Sequence, residues 1–181
     1  MSTKAEATIE DLYAVSGKAE IVNGEIVLMS PTGHAPNRAA FKIAVSLYDY
    51  ERRDGRGRTY SDNAAFIVNL PNRKSFSPDV AFHLGAETGM KFLEGAPVFA
   101  VEVRSENDYG PKAEQAMDQK RSDYFAAGTK VVWDVDLLSP DVIRSYDANN
   151  PDIPTIYRRG DIAKAEPALP EWEFPVEDLF Q

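Results

Sequence analysis

Residues 97–105 read PVFAVEVRS, residues 111–128 read PKAEQAMDQKRSDYFAAG, and residues 129–136 read TKVVWDVD. The first segment is apolar at nearly every position except Glu102, the pattern of a central strand covered on both faces. The second has helical spacing and stops at Gly128, where a left-handed residue closes a helix. The third is again a buried strand. Strand, helix and strand in this order predict two parallel neighbours in one sheet with the helix packed across them.

Upstream, the segment 19–29, AEIVNGEIVLM, alternates around Asn23-Gly24, a pair that accepts positive φ in a tight turn, so it reads as an N-terminal β-hairpin. From Pro36 to Glu51, Ala40, Phe41, Ala44, Val45, Leu47 and Tyr48 recur on one side at helical spacing, an amphipathic helix ending near Gly55 and Gly57. Arg58 to Leu70 suggests one strand, turned by Pro71-Asn72-Arg73 toward a second, SPDVAFHL at 77–84. Gly85 to Gly95 is a polar connection. Beyond the decisive segment, DVIRSYD and IPTIYRR read as strands, and a tail rich in proline and acid closes the chain. The expected fold class is therefore α/β (α+β): a mixed sheet flanked by helices, in one domain over residues 1–181.

Composition narrows the function. With 181 residues and 43% hydrophobic content, one core can form. Absence of cysteine excludes disulfides and thiolate metal sites. Glu6, Glu10 and Asp11 interrupt the N-terminal stretch where a signal peptide needs an apolar core, and no run approaches a membrane span, so a cytoplasmic protein without membrane partners is expected. The net charge of −9 opposes extensive nucleic-acid contact. Against it, Arg52, Arg53, Arg56 and Arg58 cluster in ERRDGRGR.

Period two places Asp79, Ala81 and His83 on one face of their strand, and Val98, Ala100, Glu102 and Arg104 on one face of theirs. Were the strands neighbours, Asp79 and Glu102 would approach within about 5 Å and could share one hard cation, which would relieve the cost of a carboxylate in an apolar layer. Pairing with an arginine such as Arg104 would relieve it too. On the helix, Ala113, Met117, Lys120 and Tyr124 form the inward stripe, so Lys120 either snorkels or meets a buried anion. Two carboxylates to hold Mg²⁺, or Mn²⁺ in its place, with a lysine to steady charge, are what phosphodiester hydrolysis requires. Paired carboxylates also serve glycosidases, but that chemistry has no need of the lysine. His83, Tyr124, Phe125 and Trp133 read as core, and Asp134 and Asp136 as weak metal candidates at a strand exit.

Pro78-Asp79, VFAVEVRSEND at 98–108, and DQKRSDYFAAGTKVVWDVD at 118–136 resemble a bacterial endonuclease-like family, Uma-type, first catalogued as a domain of unknown function and placed in the PD-(D/E)XK nuclease superfamily. The likeness runs from AEIVNGEIVLMSPTGH to VIRSY, roughly residues 19–146. It implies a restriction-endonuclease-like fold and a Mg²⁺-dependent endonuclease acting on nucleic acid, with DNA the default. Asp79 and Glu102 would be metal ligands, with the Val103 backbone carbonyl as a third, and Lys120 would be the catalytic lysine. The superfamily's usual lysine lies two residues beyond the glutamate. Arg104 stands there, so the role passes to the helix. Glu20, ahead of the hairpin turn, matches an additional acidic residue of the family, and His34 could contact phosphate or cap the following helix. A catalytically silent fold that binds or regulates is the competing expectation, and two sites cutting two strands would suit a homodimer.

Overall fold

The computed structural model describes residues 5–181, so the first four residues of the N-terminal stretch discussed above lie outside it. A short helix α1 (Ile9–Tyr13) leads to the hairpin β1 (Ala19–Val22) and β2 (Glu25–Leu28), then to α2 (His34–Asp54). The strands β3 (Arg58–Ser61), β4 (Phe66–Ile67), β5 (Ser75–Phe76), β6 (Val80–His83), β7 (Leu93–Glu94) and β8 (Phe99–Val103) precede α3 (Pro111–Ala126). β9 (Val131–Val135), β10 (Ile143–Asp147), β11 (Asn150–Tyr157), β12 (Ile162–Ala165), β13 (Leu169–Pro175) and a terminal 3₁₀ turn (Val176–Phe180) complete it.

Six strands form the central sheet in the order β11-β10-β9-β8-β6-β3. β8 and β9 are parallel, with Glu102 opposite Asp134, as the strand–helix–strand reading requires. β6 runs antiparallel to β8 with Val80 opposite Val101. Both faces are covered. On one, Val80, Phe82, Phe99, Val101 and Trp133 pack against Ile43, Leu47 and Tyr50 of α2 and against Trp172 and Phe174 of β13. On the other, Ala81, Ala100 and Val132 lie beneath Tyr124 of α3, with Phe66, Phe76 and Leu93 from the small sheet β5-β4-β7. Small residues on that second face let α3 and the small sheet approach closely.

The N-terminal hairpin forms as expected: Asn23 (φ 51°) and Gly24 (φ 74°) are both left-handed, as a two-residue primed turn demands. Three expectations need correction. The stretch 58–70 is two strands in different sheets, broken where Asn63 adopts φ 70°. The acidic, proline-rich tail is a further hairpin, β12–β13, which sends Ala163, Ala165, Leu169, Trp172 and Phe174 into the core. Finally, α2 begins at His34 and carries two apolar stripes. Ala39, Ala40, Ile43, Leu47 and Tyr50 are buried, whereas Phe41, Val45 and Tyr48, expected inside, are 54%, 46% and 53% exposed.

Candidate active site

The antiparallel register of β6 and β8, extended by one residue, sets Asp79 across from Glu102. The link is tightened by two bonds, Asp79 N–H to the Val101 carbonyl at 3.1 Å and Val103 N–H to Asp79 Oδ2 at 2.7 Å. Pro78 ahead of Asp79 suits the strand's entry, where no ladder donor is needed. Both carboxylates face a cleft of about 630 Å³ whose walls include Val27 and Met29 from the hairpin side and Ala113, Met117 and Lys120 from α3.

Lys120 projects from the inward stripe of α3 as expected, and its ammonium is placed between two carboxylates: Glu102 Oε1 at 2.8 Å and Glu20 Oε1 at 2.9 Å. Its side chain is 15% exposed. Burial alone would lower the lysine's pKa, but the attraction of Glu102 and Glu20 outweighs it and holds the group above the ordinary value, so the charge is permanent near neutrality. Glu102 moves the other way from most carboxylates. Burial raises its pKa, Asp79 and Glu20 add to the rise, and Lys120 offsets only part of it. Tyr124 donates its hydroxyl to Glu102 Oε1 at 2.6 Å, and its ring stacks on Phe76 with centroids 4.0 Å apart.

Glu20, expected with equal weight as a solvated strand residue or an additional site carboxylate, is buried. It accepts from Arg73 Nη1 at 2.6 Å and from the Ser77 N–H at 2.7 Å, besides contacting Lys120. Despite burial, the charges of Lys120 and Arg73 hold its pKa below the usual range. Arg73 continues to Asp123 at 2.8 Å, tying β1 to α3 through the interior.

Three residues of this network went unread in the sequence. Lys18 bridges Asp79 Oδ1 at 2.9 Å and Asp62 Oδ1 at 2.6 Å; burial lowers its pKa, and Asp79 and Glu102 more than restore it. Period two from Glu20 would have found Lys18 on the same side of the strand. Tyr124, read purely as core, is core and also a donor to the site. Arg73, read as part of a turn, is buried in that turn with two carboxylate partners.

Other candidates fall elsewhere. Arg104 lines the cleft but points its guanidinium into Asp134, at 2.7 and 2.8 Å, and also bonds Glu114, so it neutralises neither Asp79 nor Glu102. Asp134 is thereby consumed in an ion pair, and Asp136 accepts from the Tyr109 hydroxyl at 2.8 Å and the Leu138 N–H at 3.0 Å. His34 is the first, exposed residue of α2; the helix is capped by Gly33 without a side-chain bond, so His34 supplies no cap. His83 is buried between the Glu94 carbonyl and the Gly85 N–H. The arginine cluster of 52–58 belongs to the end of α2 and the start of β3, where Arg56 pairs with Asp54 and Arg58 with Glu51 and Glu87, away from the cleft.

Among the described residues no three carboxylate or imidazole groups converge as a ready cation cage. The donor set still fits Mg²⁺. That ion is commonly held by one or two carboxylates together with water and substrate phosphate. Asp79 and Glu102 offer such a pair at the cleft, with Lys18 and Lys120 as their counter-charges among the described residues.

Comparison with known proteins gives the same picture of the fold. The crystal structure of a putative nuclease belonging to DUF820 from Anabaena variabilis ATCC 29413 superposes with a TM-score of 0.74 at 13% identity, covering 96% of this chain and 97% of that one. No curated protein matches. The model of the Uma2 family, described as "Putative restriction endonuclease", matches residues 8–177, which extends well past the motifs quoted from the sequence into α1 at one end and the last hairpin at the other. The protein therefore belongs to the Uma2 family.

Proposed function

We propose that the protein is a divalent-metal-dependent endonuclease that hydrolyses phosphodiester bonds of nucleic acid, DNA being the first substrate to try. The observation that carries this reading is the meeting of Asp79, Glu102 and Lys120 at one cleft, from two adjacent strands and the helix that follows them. Asp79, Glu102 and the Val103 carbonyl would hold Mg²⁺ or Mn²⁺, which would supply Lewis-acid activation of water and offset charge on the phosphate.

The chain's own groups supply the rest. Lys120 is charged at neutral pH, so it acts as a fixed cation toward the phosphoryl oxygens rather than as a proton acceptor. Glu20 is a positioning residue, since it grips Lys120 from behind the cleft. Tyr124 and the Val103 N–H fix the carboxylates of Glu102 and Asp79.

A second reading, a silent fold that binds or regulates, draws support from the way Lys18 and Lys120 already neutralise Asp79 and Glu102. One experiment separates them: single-stranded, duplex and branched DNA and RNA are incubated with the chain and Mg²⁺ or Mn²⁺, beside Asp79→Asn, Glu102→Gln and Lys120→Met. The endonuclease reading expects cleavage lost in all three. Binding without cleavage, unchanged in Asp79→Asn, sinks it in favour of the silent fold.

A further inference from the structure

The outer face of α2 carries His34, Arg38, Phe41, Val45, Tyr48 and Arg52 at alternating spacings of four and three, an a/d heptad seam directed away from the core. Three consecutive members, Phe41, Val45 and Tyr48, are about half exposed, an unusual placement for adjacent large apolar groups on a helix whose other face is already buried. We propose that this seam is an interface at which two copies of the chain associate through antiparallel α2 helices about a two-fold axis.

The charges select both the partner and the register. A parallel pairing would stack Arg38 on its own counterpart, and likewise Arg52. An antiparallel pairing that sets Val45 against Tyr48 of the second copy brings Phe41 beneath Arg52, a cation–π contact of the kind Arg38 already makes with Phe41 inside one chain at 5.3 Å. The same register places Lys42 beside Asp49 of the second copy, once on each side of the axis. Shifting it by one heptad instead puts Lys42 against its own counterpart. The face is thus complementary to itself. A polyanion would find Asp49 among its cations.

The test is sedimentation velocity through the micromolar range, where an interface of modest area associates. The expected result is a species of twice the chain mass, reduced to monomer by Val45→Glu with unchanged circular dichroism. Lys42→Glu and Asp49→Lys should each weaken the dimer about tenfold, and the double exchange should restore it. The double variant matters because Lys42 also contacts the Gln181 carbonyl in its own chain, an effect that Asp49→Lys cannot repair. A chain that stays monomeric overturns the proposal. So does a dimer indifferent to Val45→Glu, or a face whose Phe41→Ala and Tyr48→Ala variants lose affinity for a single-stranded oligonucleotide while the wild type remains monomeric.

Discussion

Lys120 is held by two carboxylates, so its replacement acts on activity and on folding at once. Lys120→Met should lower cleavage by about 10²–10³-fold, the usual cost of losing one preorganised charge stabiliser. It should also destabilise the chain by about 3 kcal/mol in urea titration, because Glu102 and Glu20 lose a shared buried counter-charge. Adding Glu102→Gln should recover part of that stability but none of the activity; a double variant no more stable than Lys120→Met would show that the ion pair is not what the lysine contributes. Tyr124→Phe keeps the ring on Phe76 and removes one hydroxyl, so a loss of about 1.5–3 kcal/mol is expected. His83 gives a pH signature. The neutral ring with its proton on Nε2 satisfies both Glu94 and Gly85, and burial lowers its pKa from the ordinary 6.5. With the folded pKa depressed, its contribution to stability is full above the unfolded value and is lost as pH falls below about 6.5 toward the folded one. His83→Gln should flatten that part of a pH–stability curve measured by thermal melting.

At the level of elements, the parts that pattern could identify are those whose periodicity is unbroken. β8, α3 and β9 read clearly because apolar runs, a helical stripe and a terminal glycine each point to one structure. Gly128 does adopt φ 106°, and Gly128→Ala should cost about 1 kcal/mol in thermal denaturation through backbone strain alone. Alternation on β6 and β8 points to Asp79 and Glu102 as partners if the strands are neighbours, and the observed register bears out the adjacency. β12–β13 escaped because its inward residues, Leu169, Trp172 and Phe174, are spaced by an irregular pairing and interleaved with proline and glutamate, so no strict period of two survives. α2 is legible as a helix but not in its orientation, for the opposite reason. It has two apolar stripes, and spacing alone cannot tell which one meets the core. Lys18 and Arg73 were missed because their partners lie far along the chain, at Asp79 and at Asp123, where only tertiary structure joins them.

For the whole molecule, the sheet divides the protein into a face bearing α2 and a face bearing α3 with its cleft. A dimer joined through α2 would therefore turn its two clefts outward, and each would meet its own substrate. The −9 charge fits such isolated sites better than a broad nucleic-acid surface. Beyond the cations paired with Asp79, Glu102 and Glu20 and the one spent on Asp134, the cleft is lined by Lys112 and by Arg121, whose partner is the exposed Asp118. A salt titration of oligonucleotide binding should accordingly give a shallow log–log slope of roughly −2; a slope near −6 would require more cations than line the cleft.

The exposed loop at Gly89 and Met90 lies between the two halves of this chemistry. Cut there, the protein would yield one fragment bearing Lys18, Glu20, Arg73 and Asp79 and another bearing Glu102 and Lys120, each with half of a charge lock and neither with a pair of facing carboxylates. The two halves form a natural logic gate. Fused to partners that meet, they would report the encounter through whatever cleavage the proposed function confers, from pieces that are inert apart.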